Sequence, residues 1–165
     1  MPNRAIVTRY GPDEQEKTFL MTNIAPQRPA LNRGPWREME QRIADLWTAR
    51  YGEIWVIVGA VSPTGNRTKL ENTTIDVPEQ YYMLIAAQDK EGVRALAVLL
   101  PQTAEVNDFP VHNIVTIKEL ETATGLEFFP DMPKFLARPL KADRPTRLWP
   151  IRWHDIVKLI LLRFT

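Results

Sequence analysis

The chain has 165 residues, of which 44% are hydrophobic and 25% are charged, a composition typical of one folded domain and not of a disordered chain. It contains no cysteine, which excludes disulfides and thiolate metal sites. The net charge is only +1, and no apolar run reaches the ~18 residues that a membrane-spanning helix needs.

Three segments in the first third of the chain differ in pattern. Lys17–Thr22 mixes aromatic and aliphatic residues and predicts a short buried strand. Asn23–Pro29 contains two prolines and is expected to be irregular. Asn32–Tyr51 has the helical period, because apolar residues recur there at steps of three and four up to Gly52. These apolar residues are Trp36, Met39, Ile43, Leu46 and Trp47.

The middle of the chain predicts a sheet. Ile54–Val61 is a continuous apolar run, as expected of a central strand that is covered on both faces. Tyr81–Ala87 and Ala95–Leu100 are separated by the polar residues Gln88–Gly92 and predict an antiparallel hairpin. The fold class is therefore α+β, with a mixed or antiparallel central sheet.

A second helix is predicted after the hairpin. Thr116 and Glu119 form a T-x-x-E capping box, and Gly125 is placed to end the helix in the left-handed conformation. Leu126, Phe128 and Phe129 are then expected to close the core.

The composition changes near residue 134, where we place the boundary between a domain at 1–133 and a tail at 134–165. The tail has 8 basic and 2 acidic residues and is rich in proline. It could contact phosphates or acidic lipid, or it could be solvated or docked on the acidic part of its own chain. Its end, Ile156–Phe164, reads as a short amphipathic helix that is too charged to span a membrane.

Three polar residues are candidates for chemistry. Asn32, Trp36 and Glu40 are spaced by four, so a continuous helix would align them on one stripe, with Asn32 at or near the N-cap. Mg²⁺ accepts neutral oxygen ligands and keeps several of its waters, so one asparagine could hold it. The alternative is that Asn32 is a plain cap, Asn23 an Asx-turn residue and Glu40 a surface acid.

The order of these residues matches a known pattern. Asn23-Ile-Ala-Pro-Gln27, followed by Leu31-Asn-Arg-Gly-Pro-Trp36 and then Glu40, resembles the signature of the DNA/RNA non-specific endonuclease family. The resemblance covers about residues 1–133. Other segments that agree with it are Val58-Gly-Ala60, Val77-Pro-Glu-Gln-Tyr-Tyr82 and Thr124-Gly-Leu-Glu-Phe-Phe129.

The resemblance implies a ββα-metal fold with a long metal-site helix and with the N-terminal lobe missing. Asn32 would be the sole protein ligand of Mg²⁺ or of another divalent cation such as Mn²⁺. Glu40 would act through the water shell of the ion, and Asn23 would orient the site. DNA and RNA would be the substrates, and a homodimer is a further expectation.

The sequence departs from the family at two functional positions. The family takes its general base from the histidine of a D-R-G-H motif, which this sequence lacks, and Met1–Gly11 resembles the stretch that commonly follows that histidine. We therefore expect the chain to begin just after the motif. His112 and His154 lie in unrelated contexts, so we expect neither to be the base. The family's arginine one turn after the glutamate is replaced by Ala44, and Arg42 would lie on another helix face.

Two kinds of function follow from this sequence. The first is a magnesium-dependent endonuclease that is weakly active or inactive. It is also expected to be poorly stable, because the strands ahead of the motif would be missing and part of the core would be uncovered. The second is a non-catalytic nucleic-acid-binding module, or a degenerate relative without activity.

Overall fold

The structure is a computed structural model that describes residues 25–63, 65 and 67–151. The elements of this part of the chain are, in order, α1 (Pro29–Arg33), α2 (Pro35–Gln41), a π-helical segment (Arg42–Trp47), α3 (Thr48–Tyr51), β1 (Ile54–Val61), β2 (Gln80–Asp89), β3 (Gly92–Pro101), a 3₁₀ turn (Pro110–Asn113), β4 (Ile114–Val115), α4 (Ile117–Thr124) and α5 (Lys134–Ala142). The strand predicted at Lys17–Thr22 lies outside the described residues.

The four strands form one antiparallel sheet in the order β1-β2-β3-β4. The predicted hairpin is confirmed and is longer than expected, with Gln80 paired to Pro101 at one end and Asp89 paired to Gly92 at the other. Gly92 has a φ of 121°, which a residue without Cβ adopts readily at the end of a two-residue turn. The α+β class is confirmed, and the described strand pairs are all antiparallel.

Helices cover both faces of the sheet because the side chains of β2 alternate between them. Met83 is buried in a cluster with Met39 and Trp47 from the first helical region. Leu84, which points to the opposite face, is buried in a cluster with Leu120 of α4. The core therefore consists of two layers, separated by β2 and β3.

β1 has the predicted bounds but not the predicted environment. Among the described residues it is the edge strand, and four consecutive large apolar side chains are exposed, by 41–52%. These side chains are Trp55, Val56, Ile57 and Val58. The prediction of a strand covered on both faces is wrong for these exposed side chains, because a continuous apolar run does not show how many of its residues are buried, nor whether a strand has a second neighbour, which β1 lacks among the described strands.

One glycine of β1 is explained by its partner strand. Gly59 pairs with Tyr82, and a Cβ on Gly59 would lie 2.6 Å from the Tyr82 ring. Since the ring is buried and also packs edge-on against Phe128 at 6.0 Å, it has little freedom to move. Glycine at this position lets the aromatic ring lie directly on the strand.

The second predicted helix is confirmed. The Thr116 hydroxyl accepts from the Glu119 N–H at 3.0 Å, the Glu119 carboxylate accepts from the Thr116 N–H at 2.7 Å, and Gly125 has a φ of 70°. Phe128 is buried as expected, but Leu126 is 51% exposed. The expectation that Leu126 closes the core is therefore wrong.

The described part of the tail packs on the preceding residues. Trp149 is buried, its ring lies 5.2 Å from that of Trp47, and its carbonyl accepts from the Trp47 indole at 3.2 Å. Lys141 pairs with Glu121 at 2.7 Å, and Arg144 pairs with Glu119. Docking on the acidic part of the chain is thus observed for this segment, while the boundary near residue 134 stays a prediction.

The amphipathic helix predicted at Ile156–Phe164 lies outside the described residues. Within the described ranges, no helix has both the length and the apolar character that a bilayer crossing requires.

Candidate metal centre

Asn32 does not cap the long helix. The helical region begins at Pro29, since proline lacks the N–H that a first helical position would leave unpaired and its φ suits a helix. Arg28 is the N-cap, and its carbonyl accepts from the Asn32 N–H at 3.0 Å. The predicted position of Asn32 at or near the N-cap is wrong, because it lies in the last turn of α1.

The helix is interrupted directly after Asn32. Gly34 ends α1 and precedes α2 with φ −97° and ψ −115°, and Pro35 begins α2. A Cβ at Gly34 would lie 2.6 Å from the Val106 carbonyl oxygen and 2.8 Å from that of Ala30. Because a proline disfavours the helical conformation of the residue before it, the break falls at Gly34, and the prediction that Asn32 and Glu40 share one continuous helix is wrong.

The Asn32 side chain is exposed and oriented by a neighbour. Its Nδ2 donates to the Gln27 Oε1 at 2.6 Å. The structure gives its Oδ1 no hydrogen bond within the described ranges. An amide held through its nitrogen presents its oxygen to solvent, which is the form in which asparagine can bind a hard cation. Asn23, the other predicted amide, lies outside the described residues.

Glu40 lies on α2 beside Trp36, one turn earlier. The Trp36 Nε1 donates to the Glu40 Oε1 at 3.3 Å. The Trp36 ring in turn meets the Tyr81 ring edge-on at 5.7 Å. This i, i+4 contact confirms that Trp36 and Glu40 share a face of the helix.

The segment before α1 is held by Tyr81 of β2 and by Gln102, which directly follows β3, and the sequence did not single out either residue for the site. The Pro26 carbonyl accepts from the Tyr81 hydroxyl and from the Gln102 Nε2, both at 2.6 Å. The Arg28 N–H donates to the Gln102 Oε1 at 2.9 Å. A glutamine directly after an apolar strand reads as an ordinary polar turn residue, so no pattern in the sequence marks it.

Tyr81 lies at the centre of a small core beneath this segment. Burial raises its pKa to about 12, although the hydrogen bond with Gln102 acts in the opposite direction. The hydroxyl therefore stays protonated and remains a donor across the physiological range. The buried residues of this core are Leu31, Tyr81, Leu100 and Ala104.

The donor set fits a weakly held hard cation. The described residues contain no group of three or more His, Cys, Asp or Glu side chains that could enclose a metal ion. One exposed amide oxygen, with a carboxylate eight positions further along, is compatible with Mg²⁺, which keeps most of its water shell. It does not fit zinc, which prefers nitrogen and sulfur ligands.

The family's arginine one turn after the glutamate has no equivalent beside Asn32 and Glu40 among the described residues. Arg42 donates to Glu38 at 2.8 Å, and the two line an open groove of about 290 Å³ with Phe109 and Trp149. Position 44 is alanine. The Arg42 side chain therefore lies on the helix face of Glu38, as the sequence predicted when it placed Arg42 on a different face from Glu40.

His112 is exposed and lies in the 3₁₀ turn, with its ring 6.0 Å from that of Phe109. The expectation that His112 is not the general base stays a prediction, and His154 lies outside the described residues.

Comparison with known proteins agrees with the pattern of these residues. The family model described as DNA/RNA non-specific endonuclease matches residues 5–135. The chain is 28% identical to the mitochondrial nuclease EXOG of Xenopus laevis over 167 residues, covering 93% of this chain and 44% of the relative. It is 26% identical to the mitochondrial endonuclease G of Bos taurus over 137 residues, covering 75% and 45%.

The fold is also found among solved structures. A crystal structure of an EndoG/EndoGI complex matches with a TM-score of 0.64 at 21% identity, covering 76% of this chain and 56% of that chain. This likeness identifies the ββα-metal nuclease fold. The chain spans less than half the length of the curated relatives EXOG and endonuclease G.

Proposed function

Because the chain belongs to the DNA/RNA non-specific endonuclease family, we propose that it is a metal-dependent endonuclease chain that hydrolyses phosphodiester bonds in DNA and RNA. The ion is Mg²⁺, or Mn²⁺ in its place, and Asn32 is its sole protein ligand. The observation that carries the proposal is the exposed Asn32 amide, which is held through its nitrogen by Gln27 and so presents its oxygen.

Each site residue has a distinct task. Asn32 binds through Oδ1, and Gln27 fixes the rotation of the Asn32 amide. Glu40 orients water through its carboxylate, and Asn23 orients the site as in the family. The bound cation supplies positive charge that stabilises the phosphate and the leaving 3′ oxygen.

A buried donor beside Asn32 supports an anionic ligand at this place. The Gln27 Nε2 is buried and has no hydrogen-bond partner among the described residues. Buried polar groups are nearly always hydrogen-bonded. A water or a phosphate oxygen would provide the acceptor.

The activity is expected to be weak. The sequence has no D-R-G-H motif, and loss of a general base typically costs a factor of ~10²–10⁴ in rate.

A plasmid-nicking assay at equimolar protein and DNA tests the proposal. We expect slow nicking that requires Mg²⁺, stops with a chelator and falls at least tenfold in Asn32→Ala. The control is Gln88→Ala, since Gln88 is an exposed amide at the opposite end of β2 from Tyr81. Nicking that survives Asn32→Ala would refute the metal site, and rapid turnover would refute the expectation of weak activity.

A second candidate function is nucleic-acid binding without cleavage. On α5, Phe135 is 76% exposed and lies between the exposed cations Lys134 and Arg138. Exposed aromatics beside cations stack bases and neutralise phosphates of single strands. Because Trp149 of the same tail is buried, substitution of Phe135 is a cleaner test than removal of the tail.

The two candidates differ in what a substitution on α5 changes. In the binding module, Phe135→Ala weakens binding of a single-stranded oligonucleotide about tenfold, within the range for one stacked base, and the affinity falls steeply with salt. An unchanged affinity in Phe135→Ala would show that Phe135 of α5 does not contact the nucleic acid. Nicking that requires Asn32 would favour the endonuclease.

A further inference from the structure

Gln102 is the one buried side chain of polar, non-aromatic type among the described residues, at 6% exposure. Burying an amide costs free energy unless its donor and its acceptor are both bonded. Here both are: Nε2 donates to the Pro26 carbonyl and Oε1 accepts from the Arg28 N–H. The Gln102 backbone N–H also donates to the Glu79 carbonyl at 2.7 Å, so the residue is fixed at both ends.

The two side-chain bonds copy the pattern of a neighbouring strand. In a parallel sheet, the N–H of one residue donates to the carbonyl of a residue on the neighbouring strand, and the C=O of the same residue accepts from the N–H two positions further along that strand. The Gln102 amide does this with Pro26 and Arg28, which lie 76 and 74 positions away in sequence, respectively. It therefore holds a short irregular segment as a β-strand would, without a strand being present.

Tyr81 provides a second donor to the same carbonyl. Its hydroxyl bonds the Pro26 oxygen at 2.6 Å, and its ring rests edge-on against Trp36, which contacts Glu40. One side chain of β2 thus contacts the segment before α1 as well as the aromatic residue beside Glu40.

The held segment is the one that orients Asn32. Gln27 lies between the two clamped residues and its side chain accepts from the Asn32 Nδ2, while the Arg28 carbonyl accepts from the Asn32 N–H. Both the backbone and the side chain of Asn32 are therefore bonded to residues 27 and 28. We infer that Gln102 and Tyr81 are positioning residues that set the direction of the Asn32 amide, an inference that rests on the proposed role of Asn32 as the metal ligand.

Single substitutions separate the contribution of Gln102 from that of Tyr81. Gln102→Leu removes both bonds to the segment at similar volume, and Tyr81→Phe removes one bond and keeps the ring on Trp36. Tyr82→Phe is the matched control, because Tyr82 is the buried neighbour whose side chain belongs to the opposite face of the sheet. Gln88→Leu is the surface control for Gln102→Leu.

The first readout needs no metal. In ¹⁵N-labelled protein without metal, we expect the heteronuclear NOE of the Asn32 side-chain amide to fall in Gln102→Leu toward the value of Gln88, and to fall less in Tyr81→Phe. Because the two residues share the Pro26 carbonyl, their effects should be non-additive in the double variant. An unchanged NOE in folded Gln102→Leu overturns the inference, and if that variant does not fold, an unchanged NOE in Tyr81→Phe does so.

The second readout is Mn²⁺ affinity by electron paramagnetic resonance. We expect Gln102→Leu to weaken Mn²⁺ binding about tenfold, the lower end of the range for partners that orient a metal ligand, while Tyr82→Phe and Gln88→Leu leave it unchanged. Equal affinity in Gln102→Leu and wild type, with Asn32→Ala strongly impaired, overturns the positioning role alone. Equal affinity in Asn32→Ala and wild type overturns the proposed metal site, even if the NOE result supports the link.

Discussion

Gly34→Ala probes the backbone contact that interrupts the helix beside Asn32. The added Cβ would lie 2.6 Å from the Val106 carbonyl oxygen, 2.7 Å from the Val106 Cα and 2.8 Å from the Ala30 carbonyl oxygen, where ordinary contacts begin at 3.4 Å. All three atoms belong to the backbone, so no side-chain rotation can relieve the overlap. Overpacking costs about 1–3 kcal/mol, and we expect a loss near ~3 kcal/mol here because the neighbouring loop or α1 must move.

Urea unfolding measures this loss. With a slope of about 2 kcal/mol per molar urea, a decrease of about 3 kcal/mol lowers the midpoint by about 1.5 M. Gly65→Ala is the control, since Gly65 is exposed and a Cβ there meets no heavy atom within 4 Å. Its free energy of unfolding should therefore stay within about 0.5 kcal/mol of wild type. If Gly34→Ala and Gly65→Ala unfold at the same urea concentration, the close packing of Gly34 on Val106 is wrong.

Three further substitutions test other parts of the structure. Gly59→Ala should lower the free energy of unfolding by about 1–3 kcal/mol. The loss should be smaller in the presence of Tyr82→Leu, which makes room for the Cβ. If urea unfolding shows that the two losses are additive, the contact between position 59 and the Tyr82 ring is contradicted. Hydrogen bonds from the Thr116 N–H and hydroxyl, and then the Arg144 guanidinium, lower the pKa of Glu119 below its ordinary value of 4.5. The ionised Glu119 carboxylate therefore stabilises the fold above pH 4.5, and this stabilisation is lost as pH falls through the lower folded-state pKa. The destabilisation caused by Glu119→Ala should thus shrink in acid, and a difference in unfolding midpoint that does not vary with pH would count against it. Burial raises the pKa of Tyr81 to about 12, so the neutral hydroxyl stabilises the fold below pH 10.0 and this stabilisation is lost as pH rises through about 12. Burial also raises the pKa of Tyr82, so an ultraviolet titration should show more than one late tyrosine, and the one that titrates near pH 12 should be absent from Tyr81→Phe. Its persistence in that variant would assign it to another tyrosine.

Features that depend on neighbouring residues in sequence were predictable. The capping box of Thr116 and Glu119, the stop at Gly125 and the turn before Gly92 each depend on a few adjacent positions, and the structure has all of them. The i, i+4 contact of Trp36 with its carboxylate is also local. Such features follow from backbone geometry and side-chain length, which the sequence contains directly.

Features set by distant packing were not predictable. The close contact of Gly34 with the Val106 backbone, more than seventy positions away, could not be read from the local sequence pattern. The apolar run of β1 could not reveal that its outer edge has no described neighbour. Gln102 carried no signal because its partners lie on a segment that only the fold brings close.

The candidate site was found through the family pattern more than through the helix. Spacing alone favoured a cap and a surface acid, and the geometric argument for a continuous stripe from Asn32 to Glu40 was wrong. The structure shows the Asn32 amide bonded to Gln27 and Glu40 bonded to Trp36. The roles of Asn32 and Glu40 at a metal ion stay predictions that the resemblance implies.

The central claim is that a divalent cation binds the Asn32 amide oxygen, and paramagnetic broadening measures this directly. When folded ¹⁵N-labelled protein is titrated with Mn²⁺, the side-chain amide signal of Asn32 should broaden first, well before that of the exposed amide Gln88, and Mg²⁺ should reverse the broadening by competition. Equal broadening of Asn32 and Gln88 at every Mn²⁺ concentration would contradict the claim.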